Sequence, residues 1–496
     1  MSAGGAEDTL SLSLVSHTNA GKTTLARTLL GRDVGIVRDA QHVTEFADVY
    51  TMMTTPQGDS LLLWDTPGFG DTVRLAKRLR ETANPFGWFM STVWDRWRDR
   101  PFWASQQALR NVRDEADVML YLVNVLEAPE AAGYVQPEME ILGWVDKPVI
   151  VLLNQLGAPR AAVLEEADLA RWHTHLKGFA AVRAVLPLDA FARCWVQELT
   201  LLRTIESVLS GEQHERMGRL RTAWQAQREQ TFAAAMRSLA DSLARIAITK
   251  EPLTDARGIR ARLRGVGAAV AQGMGMGRPD DEAPAAVAQK ALAQMLNDEV
   301  RANTLALIQL HGLSGDAQGE ILTRLATHYE MRLRMDEGKA AMWGGMVTGA
   351  LMGLKADVLS GGLTLGGGLL AGGLIGALGA AGLARCVNLV RGIDRSWIAW
   401  NAEALDQTVE AALLRYLAVA HFGRGRGDWA QGESPPHWKD VIARALAPQR
   451  AALAAVWATR GDADAADATA AALRPLLEQA ARAALEQLYP GSLRPV

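Results

Sequence analysis

At 496 residues with 49% hydrophobic content, the chain exceeds what one hydrophobic core usually supports, so two or three domains are expected. Its 52 basic and 55 acidic side chains nearly cancel, leaving a formal net charge of −3, which argues against nucleic-acid binding driven by phosphate neutralisation. Two cysteines, Cys194 and Cys386, offer neither a disulfide framework nor metal-ligand spacing, and point to a reducing, intracellular compartment.

No basic region followed by an apolar run precedes the first element, so no secretory signal is expected. Leu10, Leu12 and Leu14 alternate with Ser11 and Ser13 as a short strand, and TTLARTLL has helical spacing. Between them SHTNAGKTT reads as a phosphate-binding loop: backbone N–H groups of Thr18, Asn19, Ala20, Gly21 and Lys22 can ring the phosphates of a nucleoside triphosphate, with Thr24 in the first helical turn beside them. Lys22 would bridge the terminal phosphates and Thr23 would ligate Mg²⁺. Gly21, Lys22 and Thr23 satisfy the pattern G-x-x-x-x-G-K-[ST]; its first glycine is replaced by Ser16.

Asp33 to Asp48 follows as a loop containing Thr44, at the distance where a first switch loop places its threonine; an ordinary loop threonine is the alternative. Val49 to Thr54 and Leu61 to Trp64 read as two strands joined by a turn. The second ends on Asp65 of DTPG, a carboxylate placed to hold Mg²⁺ through water, and Gly68 supplies an N–H to sense a γ-phosphate. Val118 to Val125 and Val149 to Leu153 are apolar runs of the kind buried parallel strands show, and Leu186 to Asp189 is expected to supply the last strand. The alternation predicts an α/β P-loop fold with a doubly wound, mostly parallel sheet, over about residues 1–212. The run ending NQLG at Asn154 to Gly157 lacks the aspartate that would select guanine, so Asn154 is a candidate base or loop contact only.

Taken together, HTNAGKTT, RTLLGRDVG, Thr44, DTPG and a later GGLTLGGG resemble the Era/TrmE-like GTPases, in particular bacterial proteins that fuse such a domain to a C-terminal region of unknown function. The resemblance implies GTP and GDP as ligands, Mg²⁺ on Thr23, Thr44 and Asp65, and phosphate contacts by Lys22, Asn19, Thr44 and Gly68. Ser16, NQLG and Asn124 depart from the family pattern. Phe69 stands where many GTPases carry a water-orienting glutamine, and an apolar ring cannot orient water. Asn19 lies where TrmE-like enzymes hold a potassium ion, so K⁺-assisted, intrinsically slow hydrolysis is one expectation; an asparagine that merely tightens the loop is the other.

After the second switch, residues 84–105 crowd Trp88, Trp94, Trp97 and Trp103 into a short insert preceded by Arg74, Lys77, Arg78 and Arg80. It suits a membrane or protein surface, or a local aromatic core. From Gln213 strand signals fade, and helices are expected at His214 to Ile248, Pro284 to Leu310, Ser396 to Leu417, Trp438 to Thr459 and Ala465 to Leu488. This gives a mainly α-helical half, divided as 213–339, 340–392 and 393–496.

The middle part is a glycine-rich apolar hairpin. Ala340 to Leu354 is uncharged, and Val358 to Ala384 runs 27 residues without a charge, long enough for a bilayer, yet ten of them are glycine. Gly368, Gly372 and Gly376 share one helical face that lets two apolar helices approach, which also admits a homodimer. The hairpin is either inserted in a membrane or buried among the other helices. The expectation is therefore a slow Mg²⁺-dependent GTPase switch in the cytoplasm or at the cytoplasmic face of the inner membrane, with a membrane or a membrane protein as partner and no nucleic acid. The alternative is a nucleotide-binding scaffold with little hydrolysis, working as a helical interaction module.

Overall fold

The structure is a computed structural model that describes residues 8–18, 20–31, 47–70, 72, 77, 80, 100–154, 162–188, 194–252, 284–313, 387–391, 396–421, 437–461 and 465–493. Contacts divide the chain into a first unit, Met1–Glu229 with His421–Gln431, and a second unit, Gln230–Ala420 with Gly432–Val496.

The first unit is built on β1 (Thr9–Ser16), α1 (Lys22–Leu30), β2 (Asp48–Thr54), β3 (Ser60–Asp65), α2 (Arg100–Asp114), β4 (Val118–Asn124), α3 (Val135–Gly143), β5 (Val149–Asn154), α4 (Ala162–Leu176), β6 (Val182–Pro187) and α5 (Trp195–Val208). Its six-stranded sheet runs β2-β3-β1-β4-β5-β6, parallel except for β2, which pairs antiparallel with β3. The expected doubly wound, mostly parallel sheet is therefore present. β4 and β5 are apolar runs because both their faces are covered: Val118 to Val123 and Val149 to Leu153 are all fully buried. β1 is covered on both faces too, although it alternates leucine with serine. Leu10, Leu12 and Leu14 fill one side, while Ser13 on the other is buried and donates to Asn111 Oδ1 of α2 at 2.6 Å. The last strand, Val182–Pro187, begins four residues earlier than expected, because its pairing with β5 extends back to Val149↔Val182.

The second unit is mainly helical. It contains the end of α6 (Gly211–Ile248), then α7 (Pro284–Leu310), α8 (Ala402–Ala420), α9 (His437–Leu446), a 3₁₀ turn at Ala447–Gln449, α10 (Arg450–Thr459) and α11 (Ala466–Leu488). α8 is its centre: Leu405, Val409, Leu413, Tyr416 and Leu417 are all buried, and Arg415 with them, as expected of a helix covered on every side. Arg245 of α6 makes a two-pronged contact to Glu299 of α7, at 2.8 and 2.9 Å. Trp457 of α10 donates Nε1–H to Asp406 of α8 at 2.7 Å.

Among the described residues this half also contains strands. β7 (Lys250–Pro252), β8 (Val387–Arg391) and β9 (Ser396–Trp400) form a three-stranded antiparallel sheet in the order β7-β9-β8. The expected helix at Ser396 to Leu417 therefore starts only after β9, where Asn401 Oδ1 accepts from Ala404 N at 2.8 Å and caps α8. The tryptophan-rich insert before Arg100 and the apolar stretch from 340 to 386 lie outside the described residues. Among the described residues no helix is long and apolar enough to cross a membrane.

Candidate functional site

The strand registers bring the motifs to one edge. β1 pairs with β3 so that Leu14 faces Asp65, and β4 pairs with β5 so that Asn124 faces Asn154. The carboxyl ends of β1, β3 and β5 therefore lie along the same edge of the sheet, where open α/β sheets place their ligand sites. α1 starts immediately after Gly21, whose φ of 89° is a left-handed conformation that glycine tolerates at no steric cost.

Lys22 is buried with its Nζ donating to Ser16 Oγ at 2.8 Å and reaching His17 O at 3.5 Å. Burial lowers its pKa to about 8, with the negative charges of Asp65 and Glu138 pulling the other way. Ser16, the residue that departs from the loop pattern, thus has a local role: its hydroxyl accepts from the lysine and donates to His17 O at 2.6 Å. A glycine there offers no such seat.

Thr23 donates to Asp65 Oδ2 at 2.5 Å. Burial pushes the Asp65 carboxyl up to about 6, against the hydrogen bond from Thr23 and the charge of Lys22. Among the described residues, Asp65 Oδ1 is buried without a hydrogen-bond partner. A buried carboxylate oxygen left over beside a threonine hydroxyl is a pair of hard oxygen donors, and it fits a Mg²⁺ ion or its bound water.

Gly68 lies against the loop. A Cβ on it would meet Thr18 Cα and Cγ2 at 3.0 Å and Lys22 Nζ at 3.2 Å, so even a methyl group would make tight contacts with the phosphate loop. Thr66 donates to Leu14 O at 2.6 Å, and Phe69 N donates to Ser16 O at 2.9 Å. The Phe69 ring is fully buried in the sheet core with Val15, Tyr121 and Val123, which leaves it no route to a water above the sheet.

Asn154 is fully buried and donates Nδ2–H to Ala20 O at 3.0 Å, so it reaches the phosphate loop. The structure thus brings together Thr18, Ala20, Gly21, Lys22, Thr23, Asp65, Gly68 and Asn154, with Thr24 buried in the first turn of α1. Asn19 and Thr44 lie outside the described residues.

A second set of polar residues under the loop carries no sequence motif. Glu138, in the first turn of α3, is fully buried; its Oε1 lies 2.8 Å from His17 Nδ1 and accepts from Thr72 Oγ1 at 3.2 Å, and its Oε2 accepts from Tyr121 at 2.6 Å. The His17 ring stacks on Tyr134 at 4.4 Å, and Tyr134 donates to Glu127 at 2.9 Å. Burial raises the Glu138 pKa, with His17 as the main opposing influence. Sequence reasoning misses it; the one available signal is that Glu138 shares a helical stripe with Val135 and Leu142, a carboxylate where the pattern calls for an apolar residue.

Residues 11–155 match the family of 50S ribosome-binding GTPases, and residues 177–489 match a domain of unknown function, DUF3482. No curated protein matches the chain. Among solved structures, Era in complex with MgGDPNP and nucleotides 1506–1542 of 16S ribosomal RNA is similar at 19% identity and TM-score 0.31, over 41% of this chain and 58% of that one. A point variant of Aquifex aeolicus Era bound to GDP·AlF₄⁻ is similar at 20% identity and TM-score 0.30, over 41% and 58%. Toc33 from Arabidopsis thaliana, in a dimerization-deficient mutant, is similar at 13% identity and TM-score 0.25, over 38% and 73%. The chain thus spans little more than half the length of the Era proteins.

Proposed function

We propose that this chain, which belongs to the DUF3482 family and carries a P-loop GTPase domain ahead of that region, is a GTP-binding switch that hydrolyses GTP slowly with Mg²⁺ and acts at or near a membrane. The observation that carries the nucleotide part is the convergence at one sheet edge of the Lys22 seat, the Thr23–Asp65 pair with its leftover carboxylate oxygen, and the side-chain-free Gly68. When bound, Mg²⁺ supplies positive charge across the terminal phosphates, and Thr23 and Asp65 would hold it. Lys22 neutralises phosphate charge in a buried setting where that charge counts for more than in water. Gly68 offers a backbone N–H next to the loop, so the presence or loss of a γ-phosphate can move the DTPG segment.

Slow turnover is supported by Phe69, whose ring is locked in the core at the position where a glutamine would orient water. The same observation favours a second reading, a nucleotide-binding scaffold with little hydrolysis. Asn19 as a K⁺ ligand supplying the missing positive charge, and Thr44 as the first-switch Mg²⁺ ligand, complete the proposal. Membrane action rests on the uncharged Val358 to Ala384 run. Phosphate release from GTP, followed with Mg²⁺ or EDTA and in K⁺ or Na⁺, tests the enzyme reading. Release that needs Mg²⁺ and rises in K⁺ is expected; nucleotide binding without release would leave the scaffold, and equal rates in both salts would remove potassium.

A further inference from the structure

The polar cluster under the phosphate loop belongs to no motif, and it connects the two segments that a nucleotide switch must keep in register. His17 lies inside the loop, and its carbonyl receives Lys22. Thr72 lies four residues beyond Gly68, on the segment that follows DTPG. Both side chains meet the same oxygen, Glu138 Oε1, at 2.8 and 3.2 Å, while Tyr121 of β4 holds the other oxygen at 2.6 Å. Glu138, Thr72 and Tyr121 are all at most 1% exposed, so water does not substitute for a lost partner without cost. A carboxylate is seldom buried unless its oxygens are engaged, and here three side chains from separate segments engage it. Its site in the first turn of α3 also places its negative charge at the favourable end of that helix.

We infer that Glu138 is a positioning residue for the nucleotide site: it ties the phosphate loop at His17 to the second switch segment at Thr72, and so sets where Gly68 rests against the loop. This rests on the reading of the site as a nucleotide switch. Among the three contacts the one to Thr72 is the longest, at 3.2 Å, and it is the one that reaches the segment after DTPG. His17 and Tyr121 keep the post in place, with the Tyr134 ring stacked on His17 at 4.4 Å holding that side chain against the helix.

The test uses the full chain with Thr72→Val, Thr72→Ala, Thr72→Ser and Glu138→Gln. Hydrogen exchange is read at the Phe69 and Gly70 amides without nucleotide, since both are hydrogen-bonded, to Ser16 O and Ser105 Oγ. Affinities for GDP and a non-hydrolysable GTP analogue are read in parallel. Thr72→Val and Thr72→Ala are expected to speed exchange at those two amides about fivefold, the worth of one hydrogen bond, and to shift the GTP-to-GDP affinity ratio by a similar factor. Thr72→Ser restores both. Glu138→Gln should loosen the amides of the phosphate loop as well. Wild-type exchange and a wild-type affinity ratio in folded Thr72→Val or Thr72→Ala overturn the inference. Failure of the wild-type chain to bind guanine nucleotide would instead overturn the nucleotide reading, and the exchange result would still decide whether Glu138 anchors the segment.

Discussion

Gly68 gives the sharpest residue-scale expectation. A methyl group there sits 3.0 Å from the Thr18 backbone and 3.2 Å from Lys22 Nζ, so Gly68→Ala is expected to press DTPG and the loop apart slightly, overpacking that costs about 1 kcal/mol. Thermal unfolding should show that loss, and GTP affinity should fall more than GDP affinity because the displaced N–H is the one proposed to sense a γ-phosphate. Equal losses for the two nucleotides would mean that Gly68 only packs. That Lys22, Thr23 and Asp65 lie together at one sheet edge is legible in the sequence, because contiguous motifs at strand ends fix where they fall. The seat that Ser16 provides for Lys22 is not, since the pattern records only the missing glycine. Nor is the Glu138 cluster, whose His17 partner is 121 residues away, a separation that no local pattern encodes.

At the scale of elements, one clamp fixes the β2–β3 turn. Asp59, 4% exposed, accepts from Arg219 of α6 at 2.7 and 2.8 Å and lies 3.5 Å from Arg216. The Arg219 guanidinium holds its carboxyl below the ordinary value of 3.8. The folded pKa being the lower one, the stabilisation is fully present above 3.8 and is lost as pH falls through the folded value. In urea unfolding, the wild type should exceed Asp59→Asn by a constant margin above that pH, and the margin should shrink below it. A margin unchanged into acid would show that charge has no part in the clamp. Among the elements themselves, buried parallel strands are readable from their continuous apolar runs and long helices from their period, except that the helix expected over Trp438 to Thr459 is two, α9 and α10, parted by the 3₁₀ turn at Ala447–Gln449. β9 is not readable: Ser396–Trp400 is five residues long and runs directly into the pattern of α8, and its partner β7 is remote in sequence. The start of β6 was missed for a related reason, because VRAVLP carries an arginine and half-exposed positions where an apolar run was sought.

The whole molecule joins a P-loop GTPase domain to a helical region that makes up most of the remaining chain. The fading of strand signals from Gln213 is what marks the helical half in the sequence. The proposed membrane action belongs to this scale. The full chain should float with phosphatidylethanolamine–phosphatidylglycerol vesicles, and a variant lacking residues 358–384 should remain at the bottom of the gradient. Flotation of both would assign membrane contact to another segment, and flotation of neither would count against membrane action.

The sheet edge is proposed to be a guanine-nucleotide site centred on Lys22. Its most direct test is equilibrium binding of fluorescent GTP, GDP and ATP analogues to the wild-type chain and to Lys22→Ala. Guanine binding that exceeds adenine binding and weakens by at least about tenfold in the variant is predicted, tenfold being about 1.4 kcal/mol of lost phosphate contact. Equal affinity of the two proteins, or no binding by either, would contradict it.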